Sequence, residues 1–539
     1  MFNRISFSLA LICALGLAAI LGACDACHPL KRAATVAPAT AEKAAPTLRL
    51  YMMSDVAGAL EPCGCVKDQL GGLDHLAAWV ASEKKVAPSS ILVTAGPLFF
   101  TDPTLAHGHQ EQDVAKAQML ARGLHMLGLG AFAPGWNDWA AGAGVLDSLV
   151  HESGGAMLTG AESAKRVALV DVGGVKVGFI GLIAPPNASI GPVEPPFEIR
   201  PPMEVARAAW AEVEKLGPQV TIALVSTGRG EAKRIAEELP NLTAILVGSA
   251  GDRGEENTTA PPVDRVGNVL IAQTGNHMQS VAMLDLYVRG GSYAFADADG
   301  VEAAQKRDAL NRRVRDLRVR IATWERDGKI GQSDIEKRRA DVAQIEGEIA
   351  ASQESPSPPQ GSYFKYAVKD IRDNLGSNAP MIEAMKAYYR AVNDQNKQLF
   401  AARVPPAPTA GKPSYVGVDV CTGCHAAPRA VWNKTAHSRA YATLANQFKE
   451  FNLDCVSCHV TGYDAPGGST VTHVERLKNV QCETCHGPGS AHAATANKKL
   501  IQRVPSQALC ISCHKPPHVH EFDVNAKWGE ILGPGHGHP

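Results

Sequence analysis

At 539 residues the chain exceeds what one hydrophobic core serves, and about three domains is the prior at roughly 150 residues each. Its 53 basic and 54 acidic residues leave a net charge of −1, which argues against nucleic acid and against polyelectrolyte steering. Eight of 13 cysteines and 11 of 18 histidines follow Asp419, so covalent or metal chemistry is concentrated at one end.

The first segment reads as an export signal. Arg4 is the positive start, 5–21 is an apolar stretch, and Leu21-Gly-Ala-Cys24 is a small-residue cleavage site, placing a signal peptide at 1–23. Leu-Gly-Ala-Cys also resembles a bacterial lipobox, whose cysteine sulfur is lipidated and becomes the first residue. Cys24-Asp-Ala-Cys27-His28 is at the same time a C-x-x-C-H match, so an acyl chain and a fifth haem compete for one sulfur. The position at the end of a signal favours the acyl chain, with plain cleavage nearby as a third reading. The expectation is an exported lipoprotein on the periplasmic face of a bacterial membrane, tethered by a flexible Ala/Thr/Pro-rich stretch over 24–46.

From 47 to 290 short apolar runs alternate with amphipathic ones. Strands are expected at 48–53, 91–94, 167–172, 175–183, 220–226, 244–248, 269–273 and 281–288, with Gly173-Gly174 as a two-residue hairpin turn. Helices are expected at 73–84, 113–127, 203–215 and 231–238. The pattern implies an α/β layered sandwich. In 301–353, Leu310, Val314, Leu317, Ile321 and Trp324, then Ile335, Val342, Ile345 and Ile349, step by helical intervals. That predicts an antiparallel helical hairpin with charged outer faces, a spacer or dimerisation arm. A strand–helix extension over 361–403 and a Pro-rich linker over 404–413 lead into a mostly α/irregular domain at 414–539.

That last domain carries four C-x-x-C-H motifs within about 95 residues: Cys421/Cys424/His425, Cys455/Cys458/His459, Cys482/Cys485/His486 and Cys510/Cys513/His514. Positions i, i+3 and i+4 share a helix face, so two sulfurs can meet the vinyl groups of one porphyrin while the histidine faces its iron. Zinc sites or redox dithiols do not need a histidine after the second cysteine four times over. The reading is four c-type haems with His425, His459, His486 and His514 as proximal ligands. Seven other local histidines could supply the sixth ligands: His437, His473, His492, His518, His520, His536 and His538. Of these, His536 and His538 stand in a Gly-rich tail and read as solvated.

The first motif with Trp432-Asn-Lys-Thr-Ala-His437-Ser, then Cys455-Val-Ser-Cys-His-Val-Thr-Gly462, then Cys482-Glu-Thr-Cys-His-Gly-Pro-Gly-Ser-Ala-His492, resembles the multihaem cytochromes of the cytochrome c554 type. The resemblance implies electron transfer with redox partner proteins and mostly bis-histidine haems. It implies His437 and His492 as distal ligands, leaving His473 and His518 as further candidates. It also implies that one haem can lack a sixth protein ligand.

A second resemblance covers the first domain. Ser54-Asp55-Val-Ala57-Gly58, Gly96-Pro97, Gly135-Trp136-Asn137-Asp138, Val225-Ser-Thr227 and Gly248-Ser249-Ala-Gly251 resemble calcineurin-like metallophosphoesterases of the 5′-nucleotidase type, which hold two metals with Asp, His and Asn. Carried over residue by residue, only Asp55 and Asn137 remain plausible ligands. Ala57, Pro97, Trp136, Thr227, Ser249 and Gly251 stand at the other positions. The resemblance therefore implies the fold without its hydrolytic chemistry. Near Asp55, Cys63-Gly-Cys65 reads either as a structural disulfide or idle thiols, or as a redox or metal-binding pair exchanging electrons with the haems. Asp55, Cys63 and Cys65 are the catalytic candidates, and His107 and His109 possible added ligands in a loop.

Overall fold

The computed structural model describes residues 45–62, 69–161, 165–186, 197–251, 254, 256–298, 301–327, 330–352, 360–515, 519, 522–533 and 536. The expected signal, tether and Cys24/Cys27/His28, the Cys63/Cys65 pair, and His518, His520 and His538 lie outside these residues.

Thirteen strands build two sheets. They are β1 (Leu48–Ser54), β2 (Ser90–Gly96), β3 (Leu129–Pro134), β4 (Ala156–Met157), β5 (Val167–Val172), β6 (Val175–Ile183), β7 (Val220–Ser226), β8 (Ala244–Gly248), β9 (Asp264–Val266), β10 (Val269–Ala272), β11 (Ser280–Tyr287), β12 (Phe295–Asp297) and β13 (Ser362–Asp370). One sheet has the order β12-β13-β11-β1-β2-β3-β4, the other β5-β6-β7-β8-β10-β9. Period-two alternation sorts each central strand. Leu48, Leu50 and Met52 of β1 face the second sheet's Phe179, Ile222, Leu224 and Leu246, while Tyr51 and Met53 point the other way. Helices cover both outer faces: Leu73–Glu83, Gln110–Leu127 and Ala379–Leu399 on the first sheet, Pro202–Glu214 and Arg229–Glu238 on the second. The result is a four-layer α/β sandwich.

All eight expected strands are present, within a residue or two of their predicted ends. The sequence pattern missed β3 and the Ala143–Ser153 helix. In β3, Leu-Gly-Ala-Phe-Ala-Pro has no β-branched residue. Its Gly130 is small because a Cβ there would sit 2.2 Å from Ile91 Cδ1. The Gly173-Gly174 turn has φ of +63° and +87°, the left-handed pair that a two-residue hairpin requires.

Two segments expected as separate pieces are integrated into this frame. β13 pairs antiparallel with all of β11, Tyr287 opposite Tyr363 and Ser280 opposite Asp370. The Val301–Asp327 and Gln332–Ser352 helices close on the seam predicted from spacing, with Val314, Leu317, Ile321, Ile335, Val342 and Ile345 buried between them. The hairpin is pinned to β13 by Arg307, which donates to Tyr366 O at 2.8 Å.

The Ala379–Leu399 helix is the joint to the cysteine-rich region. Met381, Met385, Tyr388 and Val392 enter the first core. One turn on, Asn393 Oδ1 accepts from Phe451 N at 3.0 Å, and Asn396 Nδ2 donates to Phe451 O at 2.9 Å and to Gln112 Oε1 at 2.8 Å. Gln112 Oε1 also accepts from Leu453 N at 2.8 Å, where the helix of the second C-x-x-C-H motif begins. Lys449 pairs with Glu61 and lies 4.2 Å from the Tyr389 ring centre. Among the described residues no helix is long and apolar enough to cross a membrane.

Gln112→Ala would leave the buried Leu453 N–H without its acceptor. It is expected to cost about 1–3 kcal/mol, read as a lower urea midpoint at unchanged m-value.

Candidate functional site

The four motifs fold as single helical turns, so each presents its sulfurs and imidazole on one side. Cys455, Cys458 and His459 lie in the Leu453–His459 helix, and Cys482, Cys485 and His486 in the Cys482–His486 helix. The other two close with His425 N to Cys421 O at 2.9 Å and His514 N to Cys510 O at 2.9 Å. The eight motif cysteines are half-buried except for exposed Cys424. Burial first, then the neighbouring Cys510 and Cys482, pushes the Cys485 thiol up to about 11. The motifs interlock: the Cys421 thiol meets that of Cys482, and the Cys458 thiol that of Cys513.

Histidines far apart in sequence are opposed in space. The rings of His425 and His492 have centroids 6.1 Å apart, and those of His437 and His514 are 6.2 Å apart. Two metal–imidazole bonds of about 2.0–2.1 Å, with roughly 1 Å from nitrogen to ring centre on each side, span about 6 Å. Each spacing is compatible with one metal ion between the two rings. The free nitrogens are oriented as metal ligation requires. Nδ1 of His459 bonds Ala440 O at 2.6 Å, that of His486 bonds Gln502 O at 2.8 Å, and that of His492 bonds Asn497 O at 3.1 Å. A carbonyl can only accept, so Nδ1 carries the proton and Nε2 is left to bind. Burial lowers the pKa of His437, His459 and His514, favouring the neutral imidazole that can coordinate.

Other histidines are set differently. His473 Nδ1 lies 3.1 Å from Thr472 Oγ1 and 3.5 Å from Thr470 Oγ1, and the ring faces no described imidazole. Among the described residues no imidazole ring opposes that of His459 or His486. His536, expected as solvated, is exposed, its N–H donating to Gly533 O at 3.0 Å.

The region suits a large apolar prosthetic group for a further reason. From 414 onward the buried hydrophobic side chains among the described residues are few, chiefly Val418, Tyr441, Leu444, Leu453, Val456, Val460, Val471, Val474, Leu477, Val519 and Val524. Of these, Tyr441, Leu453, Val456, Val460, Val471 and Val474 gather into one small cluster, which leaves room for an apolar group to add to it. A closed zinc site needs four ligand atoms around one point. The described cysteines and histidines of the motifs gather nowhere into a group of even three.

Residues 420–487 match the family described as cytochrome c554 and c-prime. The matched segment holds the first three motifs and stops short of the fourth. Cytochrome c-554 of Nitrosomonas europaea is 34% identical over 91 residues, 14% of this chain and 39% of that protein. The chain thus spans well under half the length of this relative. Among solved structures, it is similar to a 5′-nucleotidase precursor from Thermus thermophilus, with 16% identity, TM-score 0.43, and 78% of this chain and 71% of that one covered. It is also similar to the calcineurin-like phosphoesterase YfkN from Bacillus subtilis, with 16% identity, TM-score 0.37, and 46% of this chain and 86% of that one covered.

In the sandwich, the segments resembling metallophosphoesterase motifs converge where β1, β2, β3, β7 and β8 end. Asp55 Oδ1 accepts from Ser249 N at 2.8 Å and Ser249 Oγ at 2.9 Å. The sheets approach so closely there that a Cβ on Gly248 would lie 2.2 Å from the Ala95 carbonyl. Asn137 Nδ2 donates to Thr101 O at 2.6 Å. Trp136 is fully buried, stacks on Phe197 at 5.8 Å and packs against Trp139 at 5.3 Å. Asp138, also fully buried, accepts from Leu98, Phe99 and Gly135 N–H groups at 2.7–3.1 Å. Sequence reasoning missed His277, 8% exposed at φ +53°, whose N–H donates to Asp55 O at 3.0 Å and whose Nδ1 lies 3.0 Å from Asn257 Oδ1. A lone histidine between apolar runs carries no spacing signal.

His107 is exposed, and His109 caps the Gln110–Leu127 helix rather than entering that cleft. With Asp113 and Asp454, His109 makes the one group of three metal-competent side chains among the described residues, at the junction with the second motif. Lys116 already supplies a cation there, 3.5 Å from Asp454. Burial first, then Asp454 and Asp102 against the opposing pull of Lys116, raises the Asp113 pKa from 3.8 to about 7. A carboxyl that holds its proton more tightly when folded makes stability fall as pH rises between about 4 and about 7. Asp113→Asn should flatten that fall: its thermal midpoint should exceed the wild-type value at about pH 8 and match it near pH 4.

Proposed function

We propose that the protein is an exported multihaem c-type cytochrome that carries electrons between redox partners through four covalently attached haems. In this reading Cys421/Cys424, Cys455/Cys458, Cys482/Cys485 and Cys510/Cys513 hold the porphyrins, and His425, His459, His486 and His514 are proximal ligands. His492 and His437 are distal ligands at the first and fourth motifs. The paired imidazoles carry the proposal, because their 6.1 and 6.2 Å spacings suit one metal between two rings and the C-x-x-C-H spacing makes that metal a haem iron.

Bound haem supplies a one-electron iron couple whose potential depends on axial ligands, hydrogen bonding and burial. The protein's own groups do the rest. Backbone carbonyls of Ala440, Gln502 and Asn497 fix three imidazole tautomers, and burial keeps others neutral. The interlocked motifs hold the four attachment turns close together, which short electron steps need.

The sandwich serves in this proposal as a non-hydrolytic scaffold. Asp55 is committed to Ser249, Trp136 fills the space of a metal ligand, and the described residues of the cleft hold no group of three ligands. Export through 1–23, a lipid on Cys24, and redox chemistry at Cys63/Cys65 belong to the proposal on sequence grounds alone. A second reading, carried over from the resemblance, is small-molecule binding at a haem iron that lacks a sixth protein ligand.

Mass spectrometry of the mature protein should find four haem adducts on the four motif peptides and acyl chains rather than haem at Cys24. A colourless protein without a Soret band would end the proposal. Carbon monoxide added to the reduced protein should shift part of the Soret band, and Ala at His437 or His492 should enlarge the shifted fraction. Manganese or magnesium should release no phosphate from a 5′-nucleotide above the buffer rate.

A further inference from the structure

Within Cys482-Glu-Thr-Cys-His486 the second position is formally free: the haem motif asks nothing of it. In this chain it is Glu483, only 2% exposed and in no ion pair among the described residues. Its two oxygens are spent on backbone N–H groups. Oε1 accepts from Val416 at 2.9 Å and from Gly489 at 2.8 Å; Oε2 accepts from Gly417 at 2.7 Å and from Val416 at 3.1 Å.

These donors begin two different helical turns. Gly417, at φ +86°, precedes the Val418–Thr422 helix that carries Cys421 and leads to His425. Gly489 precedes the Ser490–Thr495 helix that carries His492. The first N–H groups of a helix have no partner within it, and one buried carboxylate here takes those of both turns. A Cβ on Gly489 would lie 3.2 Å from Glu483 Oε1, closer than ordinary van der Waals contact. Neighbouring groups serve narrower ends: Gln481 Oε1 accepts only from Val418 N at 2.7 Å, and Ser490 Oγ accepts from Ser414 N at 2.8 Å. Among the described side chains, Glu483 joins the third motif to the turns presenting both members of the His425–His492 pair.

We propose that Glu483 is the positioning residue for that pair. It fixes the distance and tilt of the two rings, and so the axial field of the first-motif haem, without touching porphyrin or iron. The inference rests on the haem reading above, and it predicts a selective effect. The His437–His514 pair is built from other turns and should be indifferent to Glu483.

The test uses the full-length, haem-loaded protein, with haem content checked by mass and ferric low-spin signals read by electron paramagnetic resonance. His492→Ala is the reference, expected to convert one low-spin haem to high-spin. Glu483→Ala should lose that same signal at unchanged haem count, while the signal abolished by His437→Ala persists. Glu483→Gln keeps the shape and one acceptor oxygen but sets N–H against N–H at the other; it should retain the signal with shifted g values and so decides the matter if Glu483→Ala fails to mature. If His492→Ala removes a signal that Glu483→Ala and Glu483→Gln leave unchanged, the inference is wrong and the haem reading stands. Equal loss of both low-spin signals in Glu483→Ala reduces Glu483 to a general stabiliser and also overturns it. If His492→Ala changes nothing, the axial pairing itself falls.

Discussion

A segment that buries few apolar side chains must be held by something other than a hydrophobic core, and here buried amides and one buried carboxylate do it. Glu483 and Gln481 tie the third motif to the first, while Gln112, Asn393 and Asn396 tie the second motif to the sandwich. Glu483, Gln481, Gln112 and Asn393 each accept from backbone N–H groups, while Asn396 donates to Phe451 O and to Gln112. Such groups are costly to bury unpaired. Their satisfaction by a specific side chain fixes position more sharply than apolar contact, which is non-directional.

The same economy explains how the two halves of the molecule meet. The Ala379–Leu399 helix has an apolar stripe that belongs to the sandwich core and, one turn further, asparagines that belong to the cysteine-rich region. It therefore transmits the rigidity of a four-layer α/β frame to a region with little of its own. The residue that begins the second motif's helix, Leu453, is bonded directly to that frame. Of the four proposed haems, the second is thus the one whose attachment is fixed to the sandwich. At the cleft of the sandwich Trp136, Trp139 and Phe197 pack together, and Asp55 bonds Ser249.

Much of this was legible in the residues. Period-two and period-3.6 patterns placed the eight long strands and the helical hairpin seam, because burial on one face is a local statement about sequence. Strand β3 escaped because glycine and alanine, chosen for close packing against Ile91, look like loop. The membership of β13 in the first sheet escaped too, since its partner β11 lies across the whole hairpin. At the site, the C-x-x-C-H spacing announced itself because covalent attachment works within one helical turn. Glu483 and His277 did not, because neither stands in a spacing that chemistry prescribes.

The sequence alone determined where thiols and imidazole share one helical turn, because the C-x-x-C-H spacing is local. Only the tertiary structure decided which histidine faces which. His492 lies near His425 because Glu483 bonds the turns of both, and His437 lies near His514 across some 77 residues; such pairing leaves no trace in local periodicity.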